Sequence, residues 1–481
     1  MGAVSISGPP GLAPSVQVVG GGLAGPEAAY QLARAGCRVT LYEMRPRIST
    51  PAHRTGALGE LVCSNSLKSE AVHSAPWLLK QELRAAGSLL LRCAAQAAVP
   101  GGQALTVDRA IFSAAIETAL QAEPGIEIRR EEVPSLGALP PGPAVIATGP
   151  LTSPALAADL AACTGQTSLY FYDAISPIVE ADSVDRSRVF AASRYDPDGD
   201  DYLNCPFDRP QFERFCAALQ TAESYPLHPF ETPQYFEACL PLEELARRGT
   251  ETLRFGPCKP VGLADPRTGR RPHAAVQLRR ENRRADSYNL VGCQNHLRAA
   301  DQARVLRLIP GLEQARFLRF GQVHRNTYLD APRVLNGGLE LAAAAPGQRR
   351  IFIAGQLCGT EGYVEAIATG LLAGRFAAAA ALGHTLPPPP PECALGALLH
   401  YMAPRPGAGH DAYVPANMTF DLLPPAPGIR DRAARRQAQC DRALAAFARW
   451  QTAAERILAL RPGPVPRPEE PERRALRTAE R

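Results

Sequence analysis

The sequence lacks a CxxC pair, a secretion signal and a long apolar run. Its twelve cysteines are scattered through 481 residues, and no two of them are three positions apart. Zinc clusters use that close spacing and disulfide frameworks belong to short secreted chains, so neither is expected. Residues 1–15 lack a charged segment followed by an apolar one, and no run approaches the length of a membrane span. We therefore expect a cytoplasmic protein with reduced thiols and no membrane partner.

Neither sign of charge is in large excess, since 52 Lys and Arg residues against 47 Asp and Glu residues give a net charge of +5. Arginine is nevertheless concentrated in short clusters. Paired arginines stand at 270–271, 279–280 and 283–284. Clusters of this kind suit a partner that carries phosphates. The alternative is a solvated surface in a protein rich in arginine, and charge alone does not separate the two.

What the sequence does contain is a glycine turn between a short apolar strand and an alanine-rich helix. Gly20 allows the tight turn, Gly22 lets the backbone approach a pyrophosphate, and Gly25 lets the helix pack closely on the strand. The start of the helix offers unpaired N–H groups to phosphates. A second strand ends at Glu43, where a carboxylate accepts hydrogen bonds from a ribose 2′-hydroxyl, which favours FAD or NAD over NADP. The motif predicts a dinucleotide site that also includes Gly21, Leu23 and Ala24.

Two further apolar segments end in glycine, as parallel strands do beside a cofactor. One runs from 144 to 149 and the other from 351 to 355. A loop at 359–362 then leads into a long helix rich in small residues, whose start is placed to face a cofactor. The predicted site therefore also contains Thr148, Gly149, Gly355, Gln356, Gly359, Glu361, Gly362 and Tyr363. The pattern further predicts a helix over 75–91 and a strand that runs into a helix near the cap residue Asp108.

The length favours two domains, or one domain that carries a large insertion. Between the two glycine-ended strands, a long segment differs in character, with scattered aromatics, many arginines and short alternating runs. The sequence therefore predicts an α/β protein in which a Rossmann-type nucleotide-binding domain is discontinuous and an α+β domain is inserted. The expected parts are a flexible leader at 1–15, nucleotide-binding parts at 16–173 and 325–460, the insertion at 174–324, and a flexible Pro/Arg-rich tail at 461–481.

Beyond the glycine turn, twelve stretches occur in the order found in one known family. They include Glu60-Leu-Val-Cys-Ser-Asn-Ser-Leu-Lys-Ser69 and Ala354-Gly-Gln-Leu-Cys-Gly-Thr-Glu-Gly-Tyr-Val-Glu365. The other ten are 41–46, 50–53, 99–109, 147–153, 172–177, 235–243, 256–263, 288–297, 324–328 and 414–420. Over roughly residues 16–425 the chain resembles the TrmFO (Gid) family of folate- and FAD-dependent tRNA (uracil-5-)-methyltransferases.

The resemblance implies a GidA-like, FAD-binding fold and a particular reaction. In that family the T-loop uridine of tRNA (uridine 54) becomes 5-methyluridine. The carbon comes from 5,10-methylenetetrahydrofolate, and NADH or NADPH supplies electrons through FAD. Uracil C5 is a poor nucleophile until a thiolate adds to C6, and the bridging methylene must then be reduced by a hydride. Such an enzyme needs a flavin site, an accessible thiol and a basic surface for the tRNA T-arm. No obligatory protein partner is expected.

The resemblance gives two of the twelve cysteines a role. Cys239 is the expected C6 nucleophile, because the thiol that attacks the base must be exposed. Cys63 is expected near the flavin as a second thiol, and which of the two attacks the base stays open. The other ten are expected to be small buried apolar residues. Beside Cys63, the side chains of Ser64, Asn65 and Ser66 either hydrogen-bond the flavin ring or fold their own loop.

The resemblance also suggests residues for folate and tRNA, and no metal ligands. His324, Arg325 and Asn326 are expected to contact folate, with a buried, satisfied histidine as the ordinary alternative. Several basic side chains are candidates for tRNA phosphates or the folate tail, in contacts that fix position and do not read sequence. These are Lys259, Arg279, Arg280, Arg283, Arg284 and Arg298.

Two other functions remain as alternatives. One is that of the related flavoprotein GidA, which helps to install carboxymethylaminomethyl groups at the tRNA wobble uridine. That family is longer, carries a helical C-terminal domain and needs a GTPase partner, so the length of this chain argues against it. The other is a flavin-containing RNA-binding protein without turnover, and the two cysteine stretches argue against that.

Overall fold

The computed structural model describes residues 13–165, 169–196, 199–225, 240–342, 349–403 and 413–461 of the chain. Strands in these residues are β1 (Ser15–Val19), β2 (Arg38–Tyr42), β3 (Ser66–Ser69), β4 (Ala98–Val99), β5 (Ala104–Val107), β6 (Ile126–Arg129), β7 (Ala144–Ile146), β8 (Leu169–Ala174), β9 (Ile178–Glu180), β10 (Phe190–Ala191), β11 (Tyr202–Phe207), β12 (Ala274–Arg280), β13 (Ser287–Leu290), β14 (Phe317–Arg319), β15 (Val323–Tyr328) and β16 (Ile351–Ile353). The α-helices are α1 (Ala24–Arg34), α2 (Ala75–Ala85), α3 (Leu89–Gln96), α4 (Arg109–Gln121), α5 (Pro154–Thr164), α6 (Arg209–Thr221), α7 (Leu242–Arg247), α8 (Thr250–Phe255), α9 (Ala299–Leu306), α10 (Ala331–Val334), α11 (Tyr363–Ala381), α12 (Ala394–Met402) and α13 (Arg432–Leu458).

A five-stranded parallel sheet, in the order β16–β7–β1–β2–β6, organises the larger of the two apolar cores. Strand β7 and the edge strand β16 are apolar and buried throughout. Burial on both faces accounts for the continuous apolar runs in the sequence. Because all five strands run in one direction, their carboxyl ends meet at one edge. The residues that follow β1, β2, β7 and β16 are therefore brought together there.

Helices α1 and α11 pack on each other through small residues. A Cβ atom at Gly370 would lie 2.3 Å from the carbonyl oxygen of Ala24, and one at Gly374 would lie 2.7 Å from that of Ala28. Glycine at both positions therefore permits a backbone approach that any other residue would prevent. The contacts advance by four residues in both helices, so α1 and α11 run in the same direction and their first turns face the carboxyl edge of the sheet.

A six-stranded antiparallel sheet, in the order β10–β11–β12–β13–β9–β14, has a core of its own. Three phenylalanines contribute to that core, Phe207, Phe212 and Phe215. Strands β8 and β15, which lead into and out of this part of the chain, pair with each other as an antiparallel ribbon from Leu169–Tyr328 to Ala174–Val323. The boundaries predicted at 173/174 and 324/325 fall inside this ribbon. The division into domains stays a prediction, and the leader up to residue 12 and the tail from residue 462 lie outside the described residues.

The single helix predicted over 75–91 is wrong, because the chain forms α2 and α3 with a break between them. Gly87 adopts φ +75°, which a helix cannot accommodate. Ser88 then caps α3 by accepting a hydrogen bond from the Leu91 N–H. The predicted cap at Asp108 is confirmed, since its carboxylate accepts hydrogen bonds from the N–H groups of Ala110 and Ile111 at the start of α4.

Against expectation, one helix is long and apolar enough to cross a membrane. Helix α11 has 19 residues, and 83% of its most apolar window is buried inside the protein. That degree of burial is typical of a core helix, and its small residues serve the contact with α1.

The cysteines expected to be buried are so, with one exception. Cys163 is exposed at the end of α5, whereas the others that the structure describes lie in the cores, and burial raises the pKa of each of these thiols. They are Cys37, Cys93, Cys205, Cys216, Cys258, Cys293, Cys358, Cys393 and Cys440. Buried thiols with raised pKa values are poor nucleophiles.

A buried carboxyl group that joins two helices predicts a pH-dependent stability. Glu82 on α2 accepts hydrogen bonds from the N–H groups of Ala394 (2.7 Å) and Leu395 (2.8 Å) at the start of α12. Burial raises the pKa of Glu82 to about 8, and these hydrogen bonds oppose the rise only in part. The stability that the protonated group supplies is complete below its ordinary pKa of 4.5 and is lost as the pH rises through about 8.

Glu82→Gln should therefore gain stability relative to the wild-type protein as the pH rises from about 5 to about 9, by on the order of a few kcal/mol. The measurement is the difference between the two melting temperatures across that range. Glu213→Gln, an exposed carboxylate on α6, is the control and should show a flat difference. A flat difference for Glu82→Gln as well would contradict the assignment.

Candidate active site

A cavity of about 360 Å³ lies along the carboxyl edge of the parallel sheet. Residues that directly follow four of the strands line this cavity. They include Gly20 after β1, Glu43 after β2, Thr148 after β7 and Gly355 after β16. Adjacent strands lie about 4.8 Å apart, so the four strands span about 14 Å. A groove of that length across the sheet suits an extended dinucleotide.

Three glycines of the turn, Gly20, Gly22 and Gly25, differ in what a side chain at their position would meet. Gly20 has φ +110°, and a Cβ there would lie 2.4 Å from the Ala147 carbonyl oxygen. A Cβ on Gly25 would lie 1.8 Å from the Gly20 carbonyl oxygen, so that residue serves the packing of α1 on β1. A Cβ on Gly22 would meet no atom of the described residues within 4 Å. Gly22 lines the cavity, and the space beside its Cα is available to a ligand.

The first turn of α1 borders the cavity without a side-chain cap. Leu23 is the N-cap residue and accepts no hydrogen bond through its side chain, and both Leu23 and Ala24 line the cavity. Uncapped N–H groups at the positive end of a helix bind phosphate well. The turn therefore fits a pyrophosphate.

Glu43 is held as a buried carboxylate at the end of β2. It accepts hydrogen bonds from the Gly21 N–H (2.8 Å) and from the Arg45 guanidinium (2.9 Å), which also contacts Glu60 (3.0 Å). Burial alone would raise the pKa of Glu43, but the hydrogen bonds and charge of Arg45 and the Gly21 N–H outweigh it and lower the pKa. An ionised acceptor at this place fits a ribose hydroxyl. Arg45 had no predicted role, although it lies within the matching stretch 41–46.

The loop that carries Cys63 is fastened by a tyrosine from α11. The Tyr363 hydroxyl oxygen accepts hydrogen bonds from the N–H groups of Cys63 (2.7 Å) and Ser64 (3.2 Å). Cys63 is half-buried and lines the cavity together with Ser64 and Ser66. The start of α11 therefore sets the position of the Cys63 backbone.

Asn65 fastens the same loop to the second sheet. It is fully buried and does not line the cavity. Its amide donates to the carbonyl oxygens of Val107 (3.1 Å) and Arg280 (2.9 Å) and accepts a hydrogen bond from Arg279 (2.8 Å). Of the two roles expected for this side chain, the structure supports the folding of the loop. Arg109 adds a further contact, since its guanidinium donates to the Leu61 carbonyl oxygen.

The surroundings of Cys63 are cationic. Arg109, Arg279 and Arg319 all lie close enough to interact electrostatically with its thiol. Arg109 pairs with Glu281 at 2.7 Å, whereas the buried Nε of Arg319 has no hydrogen-bond partner among the described residues. Burial, with the neighbouring Arg109 and Arg54, lowers the pKa of Arg319 to about 10. Cysteines in such environments are commonly reactive.

Most residues predicted to bind a cofactor do line the cavity. Besides Asn65, the exceptions are Gly25, which packs in the turn, and Gly359, where a Cβ would lie 2.3 Å from the Tyr413 ring. The predicted residues that line it are Gly20, Gly21, Gly22, Leu23, Ala24, Glu43, Ser66, Thr148, Gly149, Gly355, Gln356, Glu361, Gly362 and Tyr363.

The residues predicted for folate and tRNA are more dispersed. Asn326 is buried and lines the cavity. His324 and Arg325 lie beside it on β15, but their side chains lie outside the described part of the structure, as does all of Cys239. The six basic candidates do not line the cavity. Lys259 is exposed, Arg280 is half-buried, Arg279 donates to the Asn65 side-chain oxygen and Arg283 to the Gln96 carbonyl oxygen, and Arg284 and Arg298 pair with Asp286 (3.2 Å) and Glu223 (2.8 Å).

The structure adds a lysine to the site. Lys68 lines the cavity, and its ammonium contacts Glu365 (2.7 Å) and Asn417 (2.5 Å). Lys68 lies within the stretch 60–69 that matches the family, so the resemblance could have identified it. Its partners Glu365 and Asn417 are 297 and 349 residues away along the chain, so no local pattern predicts the contact.

The chain is similar to proteins of a known family. A family model described as "Glucose inhibited division protein A" matches residues 15–385. The methylenetetrahydrofolate--tRNA-(uracil-5-)-methyltransferase TrmFO of Solibacter usitatus is 57% identical over 448 residues, which cover 91% of this chain and 99% of that protein. The protein of the same name from Koribacter versatilis is 53% identical over 443 residues, 90% of this chain and 97% of that protein. This chain belongs to the TrmFO family. The resemblance inferred from the sequence is confirmed.

A solved structure shares the fold of this TrmFO-family chain. Aquifex aeolicus GidA in its form II crystal has a TM-score of 0.64 at 16% identity, and the match covers 97% of this chain and 76% of that chain. The form I crystal gives a TM-score of 0.63. At such identity the likeness concerns the fold alone. The predicted fold class, a Rossmann-type and GidA-like α/β fold, is confirmed.

The open space at Gly22 gives a prediction that separates folding from binding. Gly22→Ala should leave the melting temperature of the cofactor-free protein unchanged, because the added methyl group meets no atom of the described residues, and should weaken FAD binding by about tenfold or more. The FAD dissociation constant is measured by fluorescence quenching. Gly20→Ala is the comparison and should destabilise the cofactor-free protein itself. Unchanged FAD affinity in Gly22→Ala would place the pyrophosphate elsewhere.

Proposed function

We propose that this protein methylates C5 of the T-loop uridine (uridine 54) of tRNA. Membership of the TrmFO family assigns the reaction class: a one-carbon unit passes from 5,10-methylenetetrahydrofolate to C5 of a uracil in tRNA. The observation that carries this assignment is the 57% identity over 91% of this chain and 99% of the relative. The T-loop position, the tRNA T-arm as the partner surface and NADH or NADPH as the electron source are the finer parts of the proposal.

FAD is the cofactor that the cavity fits. The turn at 20–24 would hold the pyrophosphate, Glu43 the ribose, and residues 355–363 the ring end of the molecule. Gly22, with no neighbour for a Cβ, and the uncapped start of α1 support this orientation. When bound, FAD supplies the hydride that turns the bridging methylene into a methyl group. The residues of the chain position the ring, exclude water and place a thiol beside it.

Two thiols are assigned different tasks. We assign Cys239 to attack uracil C6, which makes C5 nucleophilic. C5 then forms a bond to the methylene carbon and loses its proton, and tetrahydrofolate leaves as its bonds to that carbon break. A hydride would reduce the resulting exocyclic methylene to a methyl group, and the thiolate leaves C6. Cys63 acts beside the flavin as the second thiol. Its half-buried place in the cavity and its three arginine neighbours support a reactive role. The role of Cys239 rests on the resemblance alone, since it lies outside the described residues.

Recognition of tRNA requires a basic surface and an extruded base. A uridine inside the T-loop must be unstacked to reach a cavity, which costs a few kcal/mol. Contacts between arginines and the phosphate backbone offset that cost without reading sequence. Lys259 is exposed, and Arg284 is 85% exposed with a surface ion pair to Asp286 (3.2 Å) that a phosphate would replace at little cost, whereas Arg283 donates to the Gln96 carbonyl oxygen at the end of α3.

The first test is a methylation assay. Purified protein with unmodified tRNA, methylenetetrahydrofolate and NADPH should add one methyl group per tRNA, located at uridine 54 by mass spectrometry of nuclease fragments. Omission of folate should abolish the product, and a transcript with cytidine 54 should stay unmodified. A product made with S-adenosylmethionine in place of folate, a carboxymethylaminomethyl product or no product at all would contradict the proposal.

The second test separates the cysteines. Cys239→Ala should keep the yellow flavin bound and lose methylation, because the protein without this thiol cannot activate C5. Cys63→Ala should also bind FAD and lose most activity. Cys163→Ala, the exposed cysteine outside the cavity, is the matched control and should behave like the wild-type protein. Full activity in Cys239→Ala would remove its proposed role.

A further inference from the structure

Lys68 occupies the end of the cavity away from Glu43. It is one of only three lysines in the chain and lines the cavity with Ser66, Gly362 and Tyr363. Its backbone has φ +62°, a conformation that residues other than glycine adopt at a cost and that is concentrated at functional sites. The surrounding structure therefore maintains this lysine in an unfavourable conformation.

The ammonium group of Lys68 is fixed by two partners. It donates to the Glu365 carboxylate at 2.7 Å and to the Asn417 side-chain oxygen at 2.5 Å. Glu365 also accepts a hydrogen bond from the Met418 N–H (3.0 Å). An ammonium has three N–H bonds, so one remains for a ligand in the cavity. Lys68 thus presents a positive charge that cannot swing away.

Glu365 is an unusual partner, because it is fully buried and one of its oxygens is unused. Oε2 has no hydrogen-bond partner among the residues that the structure describes. A Cβ at Gly362 would lie 2.4 Å from that oxygen and 2.5 Å from the Lys68 ammonium. Glycine at this position is therefore required for the lysine and the carboxylate to meet beside the cavity.

The pair lies at the positive end of a long helix. Helix α11 begins at Tyr363, directly after Gly362, and no side chain caps it. A cation beside a helix N-terminus is unfavourable in itself, since both are positive. Glu365 neutralises the lysine, and Glu361, which also lines the cavity, adds a second carboxylate just before the helix. The positive groups that still face the cavity are the third N–H of Lys68 and the uncapped N–H groups at the start of α11.

We propose that Lys68, together with the start of α11, stabilises negative charge on the ring of bound FAD, and that Glu365 moderates this effect. A flavin ring becomes negative when it accepts electrons or a nucleophile, and nearby charge tunes that chemistry. This inference rests on FAD being the occupant of the cavity, as proposed above.

Sulfite titration of the FAD-bound protein tests the inference without any turnover. Sulfite donates its sulfur electron pair to the flavin N5. The N–S bond forms, the double bond between N5 and C4a opens, and its electron pair moves toward N1 and the C2 carbonyl, so the ring takes up negative charge and loses its yellow absorption. Lys68→Met should weaken sulfite binding on the order of tenfold, the effect of one charge within about 10 Å at an effective dielectric constant near 20. Glu365→Gln should strengthen it, because the lysine then lacks its countercharge.

The opposite signs distinguish this role from a structural one, which would disturb the flavin in the same direction in both variants. Arg209→Met, which removes an exposed cation on α6, is the control and should leave sulfite affinity unchanged. Equal shifts in the two variants, or unchanged affinity in Lys68→Met, overturn the inference and leave the proposed function intact. If Lys68→Met loses FAD, Glu365→Gln decides alone: tighter sulfite binding supports the inference and weaker binding overturns it. A wild-type protein that binds no FAD overturns the proposed function itself.

Discussion

The close approach of α1 and α11 is the contact on which the site depends. Gly370 and Gly374 lie directly against the backbone of Ala24 and Ala28, where no Cβ would fit. Because the two helices are parallel, this contact directs two positive helix ends to the same edge of the sheet. A larger residue at either glycine would separate the helices and move the residues that follow β1 away from those that follow β16. The shape of the cavity is thus determined first by the packing of these two helix backbones, and the polar side chains then line it.

The same helix links the dinucleotide site to the thiol. Tyr363, the first residue of α11, accepts hydrogen bonds from the backbone of Cys63, and two other contacts join that loop to the second sheet. Asn65 bonds to Arg279 and Arg280 on β12, and Arg109 joins Leu61 to Glu281. A shift of the second sheet relative to the first would therefore move Cys63 along with it. The position of the Cys63 thiol in the cavity therefore depends on both sheets.

Local patterns in the sequence predicted those parts of the site that local sterics determine. The glycine turn, the acid after β2 and the glycine-ended strands depend on neighbours within a few residues, and their spacing predicted a dinucleotide site at one edge of a parallel sheet. The helix over 75–91 was wrong for a local reason too, since Gly87 and Ser88 favour a break that its apolar periodicity concealed. By contrast, Lys68 and Asn65 act through partners 297 and 214 residues away. No pattern within a short window predicts such contacts, although both residues lie in a stretch that the family resemblance had singled out.

Charge is distributed unevenly along the cavity, and this polarity suits the order of parts in the proposed cofactor. At one end, Glu43 and Glu60 share the guanidinium of Arg45, and Glu43 is a suitable acceptor for a neutral ribose. At the other, Lys68 is paired with Glu365 and Glu361 also lines the cavity, so the positive groups without a paired carboxylate among the described residues are Arg319, near Cys63, and the start of α11. Reduction of a ring and activation of a pyrimidine both generate negative charge, and both would occur at that end. An RNA that carries its own phosphates is attracted to the same region. The proposed cofactor orientation, thiol reactivity and substrate approach would therefore depend on one and the same group of charges.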